Sequence, residues 1–457
     1  MAYLSRSDWE GTWPEHDGTA GSEISTWGNE INGTDSDGNP ASFVYTKTLD
    51  AELLAKIDAA DSLNPEDTSA FSNEEIIYGQ DNGLALIDMR GLDFDDPQWD
   101  TLLNQLTPDD YYMMIAASGY GTEFLKSVNK PFCVDADTAA GLIYGGTGNG
   151  MYPNMMTLAQ TWNQDLALEY GTMIGNEAII GGADGWYAPS MNIHRTPFSG
   201  RNGEYYSEDS FLSGTVASKE VLGAASKGMY AYIKHFAFND QENHRGDRPG
   251  QYSVCTWLNE QAAREIYLVP FEMCMKAGNV ELNYVQKDDN GDFKNQTREI
   301  RACQAVMTAF NRVGYTWTGA SYPLLTGILR NEWAFNGFVL TDNANTGEFM
   351  DGYQMIAAGG DGKLTYMEES ARFNYDENDA ATYHYGRAAM HRMLYTIANS
   401  KAMNGAMPGS RFVDVRTISD NVILAVNIIC PVLILLMMIL TIRRFRRKNS
   451  GIQKVTN

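Results

Sequence analysis

The stretch Asn336-Gly337-Phe338-Val339-Leu340-Thr341-Asp342-Asn343 decides how this chain is read. Its apolar run predicts a short buried strand, opened by the Asn-Gly turn pair and closed by a polar cluster. Asp342 therefore stands where a strand runs out. Upstream, Ala305-Val306-Met307-Thr308-Ala309-Phe310 predicts another strand, and residues 321–333 predict a helix. Ser321 is the candidate cap of that helix and Pro323 suits its first turn, while Leu324, Leu325, Ile328, Leu329 and Trp333 share one face. Strand, helix and strand in that order make a parallel βαβ unit. Ligands of parallel α/β folds bind at the carboxyl ends of the strands, which is the place of Asp342. An Asp after a strand is also an ordinary turn former, so position alone assigns it no chemistry.

The same pattern recurs along the chain. Lys130-Pro131-Phe132-Cys133-Val134-Asp135-Ala136-Asp137 is a short apolar run that ends in carboxylates, residues 186–189 lead into Asn192-Ile193-His194-Arg195, and residues 229–233 lead into Lys234-His235. Helices are predicted over 49–57, 109–115, 210–226 and 260–277. Strands with polar ends separated by helices indicate an α/β barrel more than an open sheet. No glycine-rich phosphate loop follows any of these strands, which counts against nucleotide binding. Residues 283–300 read as a surface excursion.

Composition narrows the function classes. The formal net charge of −24 argues against nucleic acid, whose phosphates need a basic face. The five cysteines, Cys133, Cys255, Cys274, Cys303 and Cys430, match no zinc spacing and imply no disulfide framework. Cys274 and Cys303 are expected to be buried small hydrophobes.

The expected organisation is a linker and lead-in over 1–75, a barrel over 76–404, a linker over 405–421, a transmembrane helix over 422–442 and a basic cytoplasmic tail over 443–457. Residues 422–442 are uncharged and mostly aliphatic, long enough to cross a bilayer core. Arg443, Arg444, Arg446, Arg447 and Lys448 follow at once, which marks the cytoplasmic side. The expected location is thus a single-pass plasma-membrane protein with its barrel on the extracytoplasmic side. That topology calls for an export signal, and the opening residues hold no apolar core for one. The expectation is therefore a piece of a longer protein, or a misplaced start.

Asp137, Arg201, Lys234, His235 and Asp342, gathered at strand ends, would offer carboxylates and cations to a polyhydroxylated ligand. Three blocks, Gly200-Arg201-Asn202-Gly203-Glu204-Tyr205-Tyr206-Ser207-Glu208-Asp209, Lys234-His235-Phe236-Ala237-Phe238-Asn239-Asp240-Gln241-Glu242, and residues 306–343 with Leu329-Arg330-Asn331-Glu332-Trp333 and Gly337-Phe338-Val339-Leu340-Thr341-Asp342, resemble motifs of glycoside hydrolase family 3, the β-glucosidase type. The resemblance covers about residues 80–400. It implies a TIM-like barrel, a retaining mechanism, and neither metal nor organic cofactor. By motif it makes Asp342 the nucleophile, and Asp137, Arg201, Lys234 and His235 binders of the sugar beside the scissile bond. The physics suits those roles: a carboxylate can form a covalent glycosyl-enzyme, and Lys234 nearby would favour its ionised form.

This chain departs from the family pattern in three places. Thr341-Asp342-Asn343 stands where Ser-Asp-Trp is common, so the aromatic wall of the pocket must come from elsewhere. Asp137-Thr138-Ala139 replaces the usual Asp-Gly-Pro. Retaining hydrolysis needs a second carboxyl group, and family members usually take it from an α/β domain, which in some relatives precedes the barrel. The acid/base is therefore expected on such a domain or on a partner chain. Phe236-Ala237-Phe238-Asn239 departs from the loop of the β-N-acetylglucosaminidase branch. The function expected is a membrane-anchored β-glycosidase acting on a β-glucoside or oligosaccharide. A non-catalytic sugar-binding barrel at the cell surface is the alternative.

Overall fold

The computed structural model describes residues 51–61, 68–143, 150–197, 199–242, 245–246, 252–256, 258, 260–288, 290–345, 349–366, 373–413 and 415–452. Of the linker and lead-in expected over residues 1–75, residues 1–50 and 62–67 lie outside them. The chain divides between Ser410 and Arg411 into two compact units.

The first unit is organised on a seven-stranded sheet whose strands lie side by side in chain order. They are β1 (Gly121–Thr122), β2 (Cys133–Asp137), β3 (Gly185–Tyr187), β4 (Tyr230–Phe236), β5 (Ala305–Thr308), β6 (Phe338–Asn343) and β7 (Gly362–Leu364). Every neighbouring pair from β2 to β7 is parallel. Helices α1 (Gln164–Gly181), α2 (Ser210–Ala225), α3 (Pro323–Glu332) and α4 (Gly352–Ala358) supply crossovers between them, and α5 (Ala380–Ala398) follows β7. Asn163 and Asp209 start α1 and α2 cleanly, each accepting two N–H groups of the first turn on its side-chain oxygen.

The ends of the sheet meet. Ser118 N–H donates to the Lys363 carbonyl at 2.9 Å and Gly119 N–H to that of Thr365 at 3.1 Å, joining the segment ahead of β1 to β7. A Cβ on Gly119 would lie 2.9 Å from the Thr365 backbone, so closure depends on glycine there. The fold is a TIM-like barrel. Among the described residues it differs from a regular eight-stranded one in having seven strands, of which β1 runs antiparallel to β2.

Two helices depart from expectation. The helix expected over 260–277 is broken: Glu260–Ala262 and Val269–Met275 flank a wide turn, Ala263–Tyr267, in which Leu268 N–H reaches back to the Ala263 carbonyl. Pro270, which has no N–H, sits just beyond that break. Helix α3 is also wound with wide turns, and its first N–H groups, those of Leu324 and Leu325, close on the Ser321 carbonyl; the side-chain cap expected from Ser321 is not made. Its apolar face is as expected, with Leu324, Leu325, Ile328 and Leu329 fully buried and Trp333 packed beside Phe236. Cys133, Cys274 and Cys303 are buried free thiols. The surface excursion is a hairpin of Asn279–Lys287 and Phe293–Arg301, tied to the body where Arg298 bonds the Gly91 carbonyl and Asp93.

Strand alternation sorts side chains between the two faces of the sheet. Ala136, Trp186, Ala231, Ile233, Val306 and Val339 join the core formed with the surrounding helices. Their neighbours turn inward: Tyr230 and Tyr232 donate to the two oxygens of Asp135 at 2.9 and 3.0 Å, and Tyr232 meets Phe338 edge to face. Two residues further along each strand, the same inward positions are Asp137, Lys234 and, past Leu340, Asp342. The period of two thus carries a tyrosine-lined interior into a charged mouth at the carboxyl ends.

The second unit contains α6 (Ile418–Ile452). It is long and apolar enough to cross a membrane, and its aliphatic side chains are exposed.

Candidate active site

Asp342 closes β6. Its Oδ1 accepts the Asn343 N–H at 2.7 Å, and its Oδ2 lies 3.3 Å from Arg245 Nη2 and 3.6 Å from His235 Nε2. Burial raises its carboxyl above the ordinary range, against the pull of Arg245, Arg201, the Asn343 N–H and Lys234. The cation in contact is Arg245, while Lys234, from farther off, favours the ionised form as expected. Arg245 sits on the loop after β4, donates to Glu242 Oε2 at 2.8 Å and lays its guanidinium 4.1 Å from the centre of the Phe310 ring.

Lys234 anchors a second cluster. Its Nζ reaches Asp137 Oδ1 at 3.2 Å and Glu204 Oε1 at 3.3 Å. Burial opposes its charge, but Asp137 and Glu204 outweigh that and raise its pKa. Glu204 in turn accepts Arg201 through Nε and Nη2, both at 2.7 Å, and the Ser190 hydroxyl at 2.7 Å. Burial alone would raise this carboxyl; Lys234, Arg201 and Ser190 hold it down at about 2. Arg201 Nη1 extends to Glu242 at 3.7 Å, so the two clusters are one chain of alternating charge.

His235 is fixed from both sides. The Asn192 side chain exchanges two hydrogen bonds of 2.9 Å with the His235 main chain, and the Tyr205 hydroxyl lies 3.4 Å from Nδ1. Burial, with Arg201, Lys234 and Arg245 nearby, pushes the imidazole well below its usual range. It is neutral at physiological pH, so its contact with Asp342 is dipolar and not an ion pair. Lys234 and His235 are consecutive, and both serve the mouth at the point where the β4–β5 register shifts between Ile233 and Phe236.

All five residues singled out from the sequence, Asp137, Arg201, Lys234, His235 and Asp342, therefore meet in one connected network. Sequence reasoning missed Glu204, Tyr205, Asn239, Glu242 and Arg245. Four of these stand inside the quoted motif blocks, where the charge pattern Arg201-x-x-Glu204 was a usable signal. Arg245 lies in a loop without periodicity. Asn239 Nδ2 donates to Tyr205 and Glu242, while Asn239 Oδ1 and Arg245 Nε are buried with no partner among the described residues. Unpaired buried polar atoms at the mouth are costly unless a ligand satisfies them.

Two departures in sequence find local explanations. Asn343 Oδ1 accepts from Asn345, whose own Oδ1 accepts from Thr365 and Tyr366, so the residue after Asp342 braces the exits of β6 and β7. Phe310 is the aromatic ring that lies beneath Arg245 at this end of the barrel. Thr138 takes φ 81, a left-handed conformation suited to glycine, and its N–H donates to Asp137 Oδ1 at 2.7 Å.

Among the described residues no group of His, Cys, Asp or Glu is arranged to hold a metal ion. What the network presents is a buried carboxylate beside neutral imidazole and a fan of charged donors, a set matched to a neutral, hydroxyl-rich ring.

Comparison with known proteins agrees with this geometry. Residues 118–360, more than half of the chain, match the glycosyl hydrolase family 3 N terminal domain. A β-glucosidase of Ruminococcus albus is 32% identical over 284 residues, which cover 59% of this chain and 27% of that protein. β-Glucosidase A of Butyrivibrio fibrisolvens is 35% identical over 249 residues, covering 54% and 26%. Among solved structures, β-glucosidase 3B of Thermotoga neapolitana in complex with α-D-glucose superposes with a TM-score of 0.54 at 28% identity, over 67% of this chain and 43% of that one. A Paenibacillus barengoltzii β-glucosidase shares the fold at 23% identity, with a TM-score of 0.56 over 83% and 40%. The chain thus spans about a quarter of the length of its sequence relatives. On these grounds the chain belongs to glycoside hydrolase family 3.

Proposed function

We propose that this chain is the barrel of a retaining β-glycosidase that acts on terminal β-linked sugars, β-glucosides among them, with Asp342 as nucleophile. The observation that carries the reading is Asp342 itself: a buried carboxylate at a strand's carboxyl end, loosely held by Arg245 and His235. Attack of its more loosely held oxygen, Oδ2, on the anomeric carbon forms a glycosyl-enzyme and expels the leaving oxygen; water then releases the sugar. Lys234, Arg201 and Asp137 grip ring hydroxyls, and those bonds tighten as the ring gains oxocarbenium character. The expected β-linked specificity is supported by relatives that are β-glucosidases.

The proton donor is a separate matter. Asp137, Glu204 and Glu242 are each tied to a cation, and Glu204, held down at about 2, is a carboxylate and not the protonated acid a leaving group needs. We assign the acid/base to a group outside the described network, on an α/β domain or a partner chain. The helix α6 is assigned as a single membrane anchor over 422–442, with the basic tail cytoplasmic and the barrel on the other side.

A test follows that needs no acid. A 2-fluoro-β-glucoside with an activated leaving group should trap a covalent sugar on Asp342, seen by peptide mass spectrometry. Labelling elsewhere, with Asp342→Asn still turning over substrate, overturns the assignment. Sugar binding without trapping or turnover favours the binding-only barrel.

A further inference from the structure

The apolar segment of α6 holds a polar feature that anchoring does not use. Within residues 422–442 the side chains able to hydrogen-bond strongly are Asn427 and Thr441, with Cys430 as a weak donor. At about 100° per residue all three fall within a sector of about 60°. Together with Ile434 and Met437 they occupy the a and d positions of a heptad that starts at Asn427, the pattern of a seam between paired helices.

The backbone adds to this. Pro431 lies inside the helix four residues after Asn427 and has no N–H, so the carbonyl left without its helical partner is that of Asn427. One residue therefore offers two amide donors, an amide acceptor and a free carbonyl. It stands five residues from the middle of the segment, about 7 Å along the axis, well inside a hydrocarbon layer roughly 30 Å thick. No water is available there to satisfy these groups.

We propose that α6 pairs in the bilayer, parallel, with α6 of a second copy of this chain, along the face of Asn427, Cys430, Ile434, Met437 and Thr441, with the Asn427 amides bonded across the pair. Asparagine is donor and acceptor at once, so two copies satisfy one another without any other partner. Arg443, Arg444, Arg446, Arg447 and Lys448 hold the same end of every copy on the same side, which makes the pair parallel and brings both Asn427 residues to one depth. The proposal rests on the reading of α6 as a membrane span.

The experiment uses the full chain in membranes. Resistance to alkaline carbonate extraction checks integration first; a chain that washes off overturns the span and the pairing with it. With integration shown, oxidative cross-linking should join the native Cys430 residues into a dimer. Leu436→Cys in a Cys430→Ser background, on the opposite face, should not cross-link. Energy transfer between labelled full chains in vesicles should show Asn427→Leu weakening association by about 3- to 30-fold. An integrated chain that stays monomeric, cross-links equally through position 436, or is unmoved by Asn427→Leu overturns the proposal.

Discussion

Two aspartates at opposite ends of β6 show what the barrel does with buried charge. Asp361 lies beside the start of the strand. It accepts Arg330 Nη2 at 2.9 Å, Arg392 Nε at 2.6 Å and the Val339 N–H at 2.6 Å, and it is wholly buried. Arg330 also bonds the carbonyls of Phe335, Gly337 and Gly359, so this cluster pins α3 and the turn before β6 to the barrel's amino end. Asp342, at the other end, has one short bond to its own chain and two long approaches from side chains. One carboxylate is saturated and structural; the other keeps capacity for a ligand. That division matches the general rule that barrel chemistry sits at the carboxyl ends and stability at the amino ends.

Neutralising each aspartate is the most direct way to break the comparison. Asp342→Asn should lower turnover of an activated aryl β-glucoside by on the order of 10⁴-fold or more, while shifting unfolding by less than about 1 kcal/mol. Asp361→Asn should do the reverse. It leaves Arg330 and Arg392 buried beside a neutral amide, which costs about 3–5 kcal/mol in urea unfolding, with sugar affinity of the folded protein unchanged. Equal loss of stability in both variants would abolish the distinction.

How much of this the sequence disclosed depends on whether a feature is periodic. The apolar face of α3, the strand that ends in Asp342 and the inward line of Asp137 and Lys234 follow from periods of 3.6 and 2, so they could be read directly. Strand β1 has two residues and no period, and ring closure depends on Gly119 passing close to Thr365, a contact between residues far apart in the chain. Arg245 was unreadable for the same reason: it reaches Asp342 from an irregular loop, and only the folded chain brings it there. The wide turns of 263–267 and α3 preserve the apolar face while changing the winding, so a pattern of hydrophobes does not reveal them.

Between the two ends lies a third carboxyl, Asp135, and it sharpens the contrast through pH. Burial raises it to about 7, even though Tyr230 and Tyr232 bond it. Its ordinary value is near 3.9, so above about pH 4 the unfolded chain sheds a proton that the folded barrel keeps. The stability this contributes is full below about pH 4, falls as pH rises to about 7, and is level beyond. Asp240, raised to about 7, and Glu220, raised to about 8, slope the same way and for the same leading cause, burial. Asp135→Asn should therefore make the fall in melting temperature between pH 4 and 8 shallower. An unchanged profile would mean that Asp135 is already ionised in the interior.

The smallest expected effect returns to the charged mouth. Thr138 holds φ 81, where a β-branched side chain meets its own backbone; such residues cost about 1–3 kcal/mol and persist only where their surroundings enforce them. The enforcement is visible, since its N–H holds Asp137 Oδ1 and its carbonyl accepts Trp186 Nε1 at 2.8 Å. Thr138→Gly keeps both bonds and removes the clash, while glycine adds freedom to the unfolded chain, which offsets part of the gain. The expected net is a stabilisation of about 1 kcal/mol by urea unfolding, with sugar affinity unchanged because Lys234 still holds Asp137. Thr138→Ala retains a Cβ at the same φ and should gain less. If both variants stabilise equally, the cost lies in the branched side chain and not in the left-handed backbone.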